Sequence, residues 1–279
     1  MHTLDRSELD ELVRRALAED LGDAGDITTK RIIRIDQPGK GRIVCKQAGI
    51  LAGRPVADAV FNAVDRSLVI EWLAEEGSEI LPGTDLALLH GRARAIFAAE
   101  RVALNFLQHL SGVATVTSKY AEPCLKYGVK LLCTRKTLPG LRTVERYAVA
   151  VGGGQMHRAG LFDAILIKSN HSKLAGSLGE AVRRTKANPN LSAEVEVSDM
   201  EGLEEAIEAG ADSILLDNAG LDLIKKVVAR TRGNIYLEVS GGVSLKNIAA
   251  IARLKPDAIS VGALTHSAPS IDLALHMFT

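Results

Sequence analysis

The fold is decided by the stretch AEVEVSDMEGLEEAIEAGADSILLDNAGLDLIKKVVARTRGNIYLEVSGGVSLKNIAAIARLKPDAISVGA, residues 193–263. It contains short apolar runs at 193–197, 213–216, 235–239 and 257–261. Helical patterns separate these runs, at 199–209, 220–232 and 244–254. Two earlier apolar runs, at 130–133 and 164–167, extend the series to six. Alternation of strand and helix at this spacing predicts βα units around one parallel sheet.

An open doubly wound sheet and a closed barrel are both compatible with that alternation. Polar or glycine residues stand at or just beyond the carboxyl end of each predicted strand: Arg135, Lys168, Glu196, Asp217, Ser240 and Gly262. In a barrel these strand ends form one rim, where barrel active sites are built. We therefore predict an α/β fold with a TIM-like α/β barrel. The barrel is expected to be incomplete, because six βα units are clear and a closed TIM barrel has about eight.

The first 112 residues have a different pattern, with strand-like runs near 42–46, 68–73 and 86–90 that glycines separate. Helical patterns cover about 55–64 and 93–110. We expect Ser111-Gly112 to interrupt the second helix, which then resumes to about Lys126. This arrangement predicts an α+β domain ahead of the barrel.

Composition and charge exclude several classes of protein. Among 279 residues, 34 are Lys or Arg and 34 are Asp or Glu, so the formal net charge is zero. A nucleic-acid or membrane-surface binder usually carries a basic excess, and no apolar run approaches the ~20 residues that span a bilayer. We expect no nucleic acid and no membrane as partners. The three cysteines show no metal-ligand spacing and are expected to be reduced thiols, which indicates a cytoplasmic enzyme.

Zero net charge conceals a segregation along the chain. Residues 130–173 carry eight basic residues against two acidic ones, and residues 194–217 carry nine acidic residues and no Lys or Arg. At the predicted rim this gives a set of basic side chains beside two carboxylates: Arg135, Lys136, His157, Arg158 and Lys168, with Glu196 and Asp217. Arginine grips carboxylate or phosphate with two hydrogen bonds, and Mg²⁺ takes one or two carboxylates together with substrate phosphates. The set suits a polyanionic substrate with a divalent cation.

Two glycine-containing turns follow the last two predicted strands. They are Ser240-Gly241-Gly242 and Val261-Gly262-Ala263. Loops after the last strands of a barrel commonly bind phosphate through backbone N–H groups, which glycine leaves uncovered. We predict a phosphate site at these turns, although each one alone could be an ordinary tight turn.

Several segments in order along the chain resemble the quinolinate phosphoribosyltransferase family. The most specific are TRKTLPGLRTVERYAVAVGGG (134–154), HRAGL (157–161) and ILIKSNH (165–171). Others are EDLGDAGDITT (19–29), ERVALNFLQHLSGVAT (100–115), EVEV (194–197), ILLDN (214–218), EVSGGV (238–243) and VGALTHS (261–267). The resemblance implies an N-terminal sandwich domain, residues 1–112, and an incomplete barrel, residues 113–267. We expect the tail 268–279 to pack on the first domain.

The same resemblance implies a reaction of NAD biosynthesis. Quinolinate and phosphoribosyl pyrophosphate would give nicotinate mononucleotide, pyrophosphate and CO2, with Mg²⁺ as cofactor and a homodimer or hexamer as the assembly. Asn is usual in the family where Met156 stands, and Asp is usual where Ser169 stands. These two departures affect the orientation of the neighbouring His157 and Lys168.

Roles carried over from the family fall on residues of this sequence. Arg135, Lys136, His157, Arg158 and Lys168 resemble the quinolinate pocket, with Thr134 beside it. Arg101 resembles the arginine that reaches into the neighbouring subunit's site. Glu196 and Asp217 resemble the acidic pair that meets ribose and metal, and Ser240, Gly241, Gly242, Val261, Gly262 and Ala263 resemble the phosphate turns. Catalytic roles are expected for Lys136, Lys168, Glu196 and Asp217. Lys136, His157 and Lys168 all remain candidates for the final proton donor.

Three alternatives to this enzyme were open from the sequence. One is a molybdenum-transport-associated relative of the same fold, which departs from the pattern that Lys168, Asn170 and His171 keep here. Another is a barrel aldolase with Lys168 as the Schiff-base lysine. The third is a non-catalytic phosphate-binding module.

Overall fold

The computed structural model describes residues 4–188 and 190–278. It divides into two compact units. The first comprises the chain up to residue 118, residues 138–153 and the chain from residue 267 onward. The second comprises residues 119–137 and 154–266.

Eleven helices lie within the described residues: α1 (Arg6–Leu21), α2 (Ile27–Ile32), α3 (Arg54–Val64), α4 (Ala93–Tyr127), α5 (Arg142–Val151), α6 (Ser169–Ala175), α7 (Leu178–Lys186), α8 (Met200–Glu208), α9 (Leu221–Thr231), α10 (Ile248–Arg253) and α11 (Ala263–His266). Twelve strands accompany them in the same part of the chain: β1 (Pro38–Cys45), β2 (Gly49–Ile50), β3 (Val69–Trp72), β4 (Glu79–Ile80), β5 (Asp85–Arg92), β6 (Lys130–Leu132), β7 (Ile165–Ile167), β8 (Ala193–Val197), β9 (Ser213–Asp217), β10 (Tyr236–Ser240), β11 (Ala258–Ser260) and β12 (Leu273–Phe278).

The first unit is built on a four-stranded antiparallel sheet in the order β12-β1-β5-β3. β12 pairs with β1 from Lys40↔Phe278 to Cys45↔Leu273, so the C-terminal segment supplies an edge strand of this sheet. Alternate residues of β1, including Ile43 and Cys45, are fully buried, as expected for a sheet with one face on a core. The domain boundary predicted at 112/113 falls inside α4 and stays a prediction.

The expected interruption of α4 is wrong, because the helix runs unbroken over 35 residues. Ser111 is fully buried, and its hydroxyl accepts from Ala52 N at 2.9 Å and donates to Ala52 O at 3.1 Å. A Cβ on Gly112 would lie 2.1 Å from Pro269 O. The two residues are therefore small because neighbouring backbone packs against the helix here. A Ser-Gly pair that is small for packing reasons gives the same sequence pattern as a Ser-Gly pair that interrupts a helix.

The second unit holds a six-stranded parallel sheet in the order β6-β11-β10-β9-β8-β7. Within the described residues, no ladder joins the edge strands β6 and β7, so the barrel is not closed by strand pairing. Gln155 forms a parallel bridge with Leu132 and thereby extends the sheet beyond β6. The prediction of an incomplete α/β barrel with an N-terminal α+β sandwich is confirmed.

Alternation along the parallel strands separates core residues from site residues. In β8, Ala193, Val195 and Val197 are buried, whereas Glu194 and Glu196 project from the opposite face. β10 places Glu238 and Ser240 on one face in the same way. Polar side chains therefore reach the interior of the barrel without entering the apolar layer beneath its helices.

Two expectations about the whole chain can be compared with the structure. None of its described helices has the length and hydropathy needed to cross a membrane. Cys45, Cys124 and Cys133 are free and buried.

Candidate active site

A cavity of about 650 Å³ opens in the second unit at the carboxyl ends of the parallel strands. Its lining includes eleven of the predicted site residues: Thr134, Arg135, Lys136, His157, Arg158, Lys168, Glu196, Asp217, Ser240, Gly241 and Gly242. It also includes residues that the sequence analysis did not assign: Leu166, Ser169, Asn170, Leu215, Asn218, Glu238 and Ser260. Positive and negative groups thus share one space, as the charge segregation predicted.

Two half-buried arginines, Arg135 and Arg158, form one wall of the cavity. Burial lowers the pKa of Arg158, and the positive charge of Arg135 lowers it further. Among the described residues, no hydrogen-bond partner reaches the buried Nε of Arg135. Asp163 accepts from Ala159 N and Gly160 N, at 2.5 and 3.1 Å, and so closes the turn that follows Arg158. This wall is prepared to receive anionic groups.

Lys136 lies on a short loop, and hydrogen bonds hold both its backbone N–H and its backbone carbonyl. Its backbone N donates to the Thr134 hydroxyl at 3.1 Å, and its carbonyl accepts from the Thr265 hydroxyl at 2.7 Å. A Cβ on Gly262 would lie 2.8 Å from Lys136 Cδ. The loop therefore holds an exposed ammonium group over a rigid backbone.

His157 is held by two glutamates from different strands. Its Nε2 lies 3.4 Å from Glu194 Oε2 and 3.3 Å from Glu238 Oε2. Hydrogen bonds to these carboxylates raise the pKa of His157 to about 9, while burial acts in the opposite direction. The Arg158 N–H donates to His157 Nδ1 at 2.7 Å, which opposes protonation of that nitrogen. One tautomer, with its proton on Nε2, makes all of these contacts, since Nε2–H faces the carboxylates and Nδ1 keeps the lone pair that accepts. The carboxylates favour a second ring proton, which would have to displace the Arg158 N–H from Nδ1.

Lys168 and Glu196 form an ion pair at the mouth of the cavity. Lys168 Nζ lies 2.9 Å from Glu196 Oε2, and Ser169 N donates to Oε1 of the same carboxylate at 3.4 Å. Lys168 is also the N-cap residue of α6, and its backbone N donates to His171 Nδ1 at 3.0 Å. Ser169 thus contacts the acidic group through its backbone, which a different side chain at this position would preserve.

Asp217 is oriented by the residue that follows it. Asn218 Nδ2 donates to Asp217 Oδ2 at 2.8 Å, and Asn218 N donates to Ser240 O at 2.9 Å. Asn218 has φ +53°, a left-handed conformation that is uncommon outside glycine and is often found at functional sites. Gly241 packs directly against it, since a Cβ there would lie 2.7 Å from Asn218 N.

The second predicted phosphate turn, Val261-Gly262-Ala263, does not line the cavity as the first one does. Val261 is buried, and its N–H donates to Leu132 O at 3.0 Å. Gly262 supports Lys136, and Ala263 starts α11. The phosphate role of this turn stays a prediction.

Arg101 lies in the first unit, on α4, and is exposed. It lines a separate cavity of about 550 Å³ within that unit, together with Asn105, Phe106 and His109. His109 in turn lies 2.8 Å from the fully buried Glu145. Arg101 is thus not among the residues that line the cavity of the second unit.

Glu194 and Glu238 are the main residues that the sequence analysis left unassigned. Each stands two positions before a predicted site residue, Glu196 and Ser240 respectively, on the same strand. Side chains two apart on a strand share a face, so the period of two could have identified both.

Comparison with known proteins identifies the family. Residues 26–111 match the N-terminal domain, and residues 113–276 the C-terminal domain, of quinolinate phosphoribosyl transferase. The chain belongs to the quinolinate phosphoribosyltransferase family. The prediction of family, reaction and enzyme class is confirmed by the curated relatives.

Relatives from bacteria and from a plant are similar to this family member over most of their lengths. A probable nicotinate-nucleotide pyrophosphorylase (carboxylating) of Bacillus subtilis is 38% identical, over 96% of this chain and 93% of its own. A quinolinate phosphoribosyltransferase (decarboxylating) of Nicotiana glauca, named as mitochondrial, is 36% identical, over 98% of this chain and 83% of its own. The solved nicotinate-nucleotide pyrophosphorylase of Francisella tularensis has a TM-score of 0.92 and 40% identity, over 99% and 98% of the two chains.

Proposed function

We propose that the cavity of the second unit is where this chain transfers a phosphoribosyl group from phosphoribosyl pyrophosphate to quinolinate, with loss of CO2. The observation that supports it most directly is the joint presence of Arg135, Arg158 and Lys168 with Glu196 and Asp217 in one space. Quinolinate is a dianion and the other substrate is a polyanion, so both need such cations.

Quinolinate binds at the arginine wall. Arg135, with its unpartnered Nε, and the half-buried Arg158 bind the two carboxylates. A guanidinium gains most from a bidentate anion when water is already excluded from it. Lys136 adds a point charge from its rigid loop.

The transfer step needs positioning and charge stabilisation and no protein nucleophile. As the bond from ribose C1 to pyrophosphate breaks, the leaving oxygen takes the electron pair, and positive charge develops on the ribose. Asp217, held by Asn218, and Glu196 stabilise that charge. The pyridine nitrogen lone pair then forms the new bond to C1. As the adjacent carboxylate departs as CO2, the electron pair of the broken bond stays on the ring carbon, where the neighbouring positive nitrogen stabilises it. A proton from one of the three candidate donors, Lys136, His157 or Lys168, then binds to that carbon.

The donor set also fits Mg²⁺, the cofactor expected for this reaction. Glu196 and Asp217 project from the neighbouring strands β8 and β9. Mg²⁺ is usually bound by one or two carboxylates together with the phosphates of the substrate. A bound Mg²⁺ would neutralise charge on the departing pyrophosphate. Because Lys168 already pairs with Glu196, Asp217 is the more available of the two carboxylates.

The second substrate's phosphates are expected at Ser240-Gly241-Gly242. Both glycines have positive φ, +80° and +61°, and their backbone N–H groups are not covered by a Cβ. Arg101 is expected to complete the quinolinate pocket of a neighbouring subunit, which makes a homodimer the smallest complete enzyme. Its exposure on α4 is consistent with that role. The three free, buried cysteines support a reducing compartment such as the cytoplasm.

The test is a coupled measurement of nicotinate mononucleotide and of CO2 released from carboxyl-labelled quinolinate, with and without Mg²⁺. Arg135→Ala should raise the activation free energy for quinolinate, obtained from kcat/KM, by about 2–5 kcal/mol, since the substrate carboxylate loses its charged partner. Arg232→Ala removes an exposed arginine of the same unit and should change nothing. Equal activity of the two variants, or no product from wild type with Mg²⁺, would exclude the proposed function.

A further inference from the structure

Two carboxylates lie inside the barrel, and the reaction outlined above does not use them. Glu238 is 1% exposed, and Glu194 is half-buried. The Glu238 Oε1 atom is buried, and none of the described residues offers it a hydrogen bond. Desolvating a carboxylate costs several kcal/mol unless a partner compensates, so this arrangement calls for a physical reason.

The strand register shows how the pair meets. β9 lies between β8 and β10, with Glu194 opposite Ser213 and Glu238 opposite Leu215. The two glutamates therefore reach across β9 from opposite sides. Both converge on the same atom, His157 Nε2.

His157 itself comes from the other edge of the sheet. Gln155, two residues earlier, bridges to Leu132 of β6, and Cys133 N donates to Gln155 O at 3.0 Å. The other side of the ring is occupied as well, since Nδ1 accepts from the Arg158 N–H. The imidazole thus connects the segment that carries Arg158 to β8 and β10.

A metal ion is the competing occupant of this cluster. The ligand atoms of His157, Glu194 and Glu238 lie within 4.8 Å of one another, a spacing that a divalent cation could use. The charge of Glu194 already acts on the Arg158 guanidinium, so a cation here would stand close to another cation. A metal would also have to displace the ring proton that both carboxylates favour. A ring proton on Nε2 satisfies the facing Oε2 atoms of Glu194 and Glu238 without either cost.

We propose that Glu194 and Glu238 are positioning residues: they hold His157 against the cavity wall, and through the His157–Arg158 peptide they fix the Arg158 guanidinium where a substrate carboxylate binds. This role rests on the proposed function in that the carboxylate belongs to quinolinate. The contact that both glutamates make is with the ring, although Glu238 also lines the cavity. Their effect should therefore appear in quinolinate binding and not in phosphoribosyl pyrophosphate binding or in the chemical step.

The test uses Glu238→Gln and Glu194→Gln, which keep the side-chain shape and remove the charge. Each should raise KM for quinolinate by about ten- to a hundredfold, the effect of losing a hydrogen bond to a charged group. We expect kcat and KM for phosphoribosyl pyrophosphate to change less than about threefold. Glu238→Asp keeps the charge and should recover part of the quinolinate affinity.

Asp65→Asn is the matched control for lost stability. Asp65 is a buried carboxylate of the first unit that accepts from Arg92 Nε at 2.7 Å. This variant should unfold at lower urea concentration and keep both KM values. If the glutamine variants instead lowered kcat and raised both KM values together, the glutamates would be merely structural and the proposal would be wrong.

A second measurement needs no turnover. In protein labelled with ¹⁵N-histidine, with the His157 signals identified by their loss in His157→Asn, the ring should titrate at lower pH in both glutamine variants. Unchanged His157 signals would overturn the positioning role even in a fully active enzyme. Binding of Zn²⁺ to wild type and not to Glu238→Gln would overturn it too, in favour of a metal site. An inactive wild type with the expected ring titration would refute the proposed function alone.

Discussion

Replacing Gly241 by alanine tests how the phosphate turn and Asp217 depend on each other. A Cβ at Gly241 would lie 2.5 Å from Asn218 Oδ1 and 2.7 Å from Asn218 N. The second contact is with backbone, so the turn or the left-handed Asn218 has to shift. Gly242 is the matched control, because it also has positive φ but its Cβ would meet only Asn218 Oδ1, at 3.6 Å.

The magnitude can be worked out from these two positions. Alanine at a left-handed position costs about 1–2 kcal/mol, and this strain applies to both variants. Overpacking against backbone adds about 1–3 kcal/mol at Gly241 alone. We therefore expect a loss of unfolding free energy of about 2–5 kcal/mol for Gly241→Ala and about 1–2 kcal/mol for Gly242→Ala.

Urea unfolding measures both losses, and steady-state kinetics measure their functional consequence. Because Asn218 Nδ2 holds Asp217, Gly241→Ala should also lower kcat at saturating substrate, by about tenfold or more. Gly242→Ala should act mainly on KM for phosphoribosyl pyrophosphate. Equal stabilities within about 0.5 kcal/mol, with equal kcat, would show that Gly241 does not constrain Asn218.

Three further predictions address other parts of the site. The glutamates raise the pKa of His157 to about 9, above its ordinary value. Their contribution to the free energy of unfolding is therefore complete below about pH 6.5 and is lost as pH rises through 9. Urea unfolding from about pH 6 to 10 should show this decrease in unfolding free energy in wild type and not in His157→Asn. Nicotinate, with one carboxylate, leaves a desolvated guanidinium unpaired and should have a kcat/KM at least about a hundredfold below that of quinolinate, and comparable turnover would contradict the arginine assignment. Arg101→Ala and Lys136→Ala should each be nearly inactive, and mixing them after verified subunit exchange should restore activity; no recovery would place Arg101 outside the partner's site.

Much of the second unit could be predicted because its signals are local. Each strand is a short apolar run, and the residue that follows each strand is polar or glycine. These residues lie together at the rim of the barrel. Parallel strands bring those residues together whatever their separation in sequence, which is why Arg135 and Asp217 line one cavity. The break expected at Ser111-Gly112 failed for the opposite reason, since the partner that needs small residues, Pro269, lies far along the chain.

Glu194 and Glu238 were not predicted as site residues because they lie inside their strands, before the carboxyl ends that form the rim. Glu238 lies in the middle of an apolar run, YLEVS, where a charge in a predicted buried strand is itself a signal. Its partner, His157, stands 81 positions earlier and belongs to a loop. No local pattern joins them, and only the register of β8, β9 and β10 brings Glu194 and Glu238 to one imidazole.

The same register places a carboxylate where it offsets the repulsion between two half-buried arginines of the cavity wall. Burial and Arg135 both disfavour the charge on Arg158, and Glu194 favours it. A carboxylate placed behind the cationic wall offsets part of their repulsion without occupying the front, where substrate carboxylates bind. Glu194 does this from its position two residues before Glu196 on β8, where it faces His157 and not the end of the strand. Glu196 and Asp217 stand nearer the strand ends, where the ribose is expected to bind.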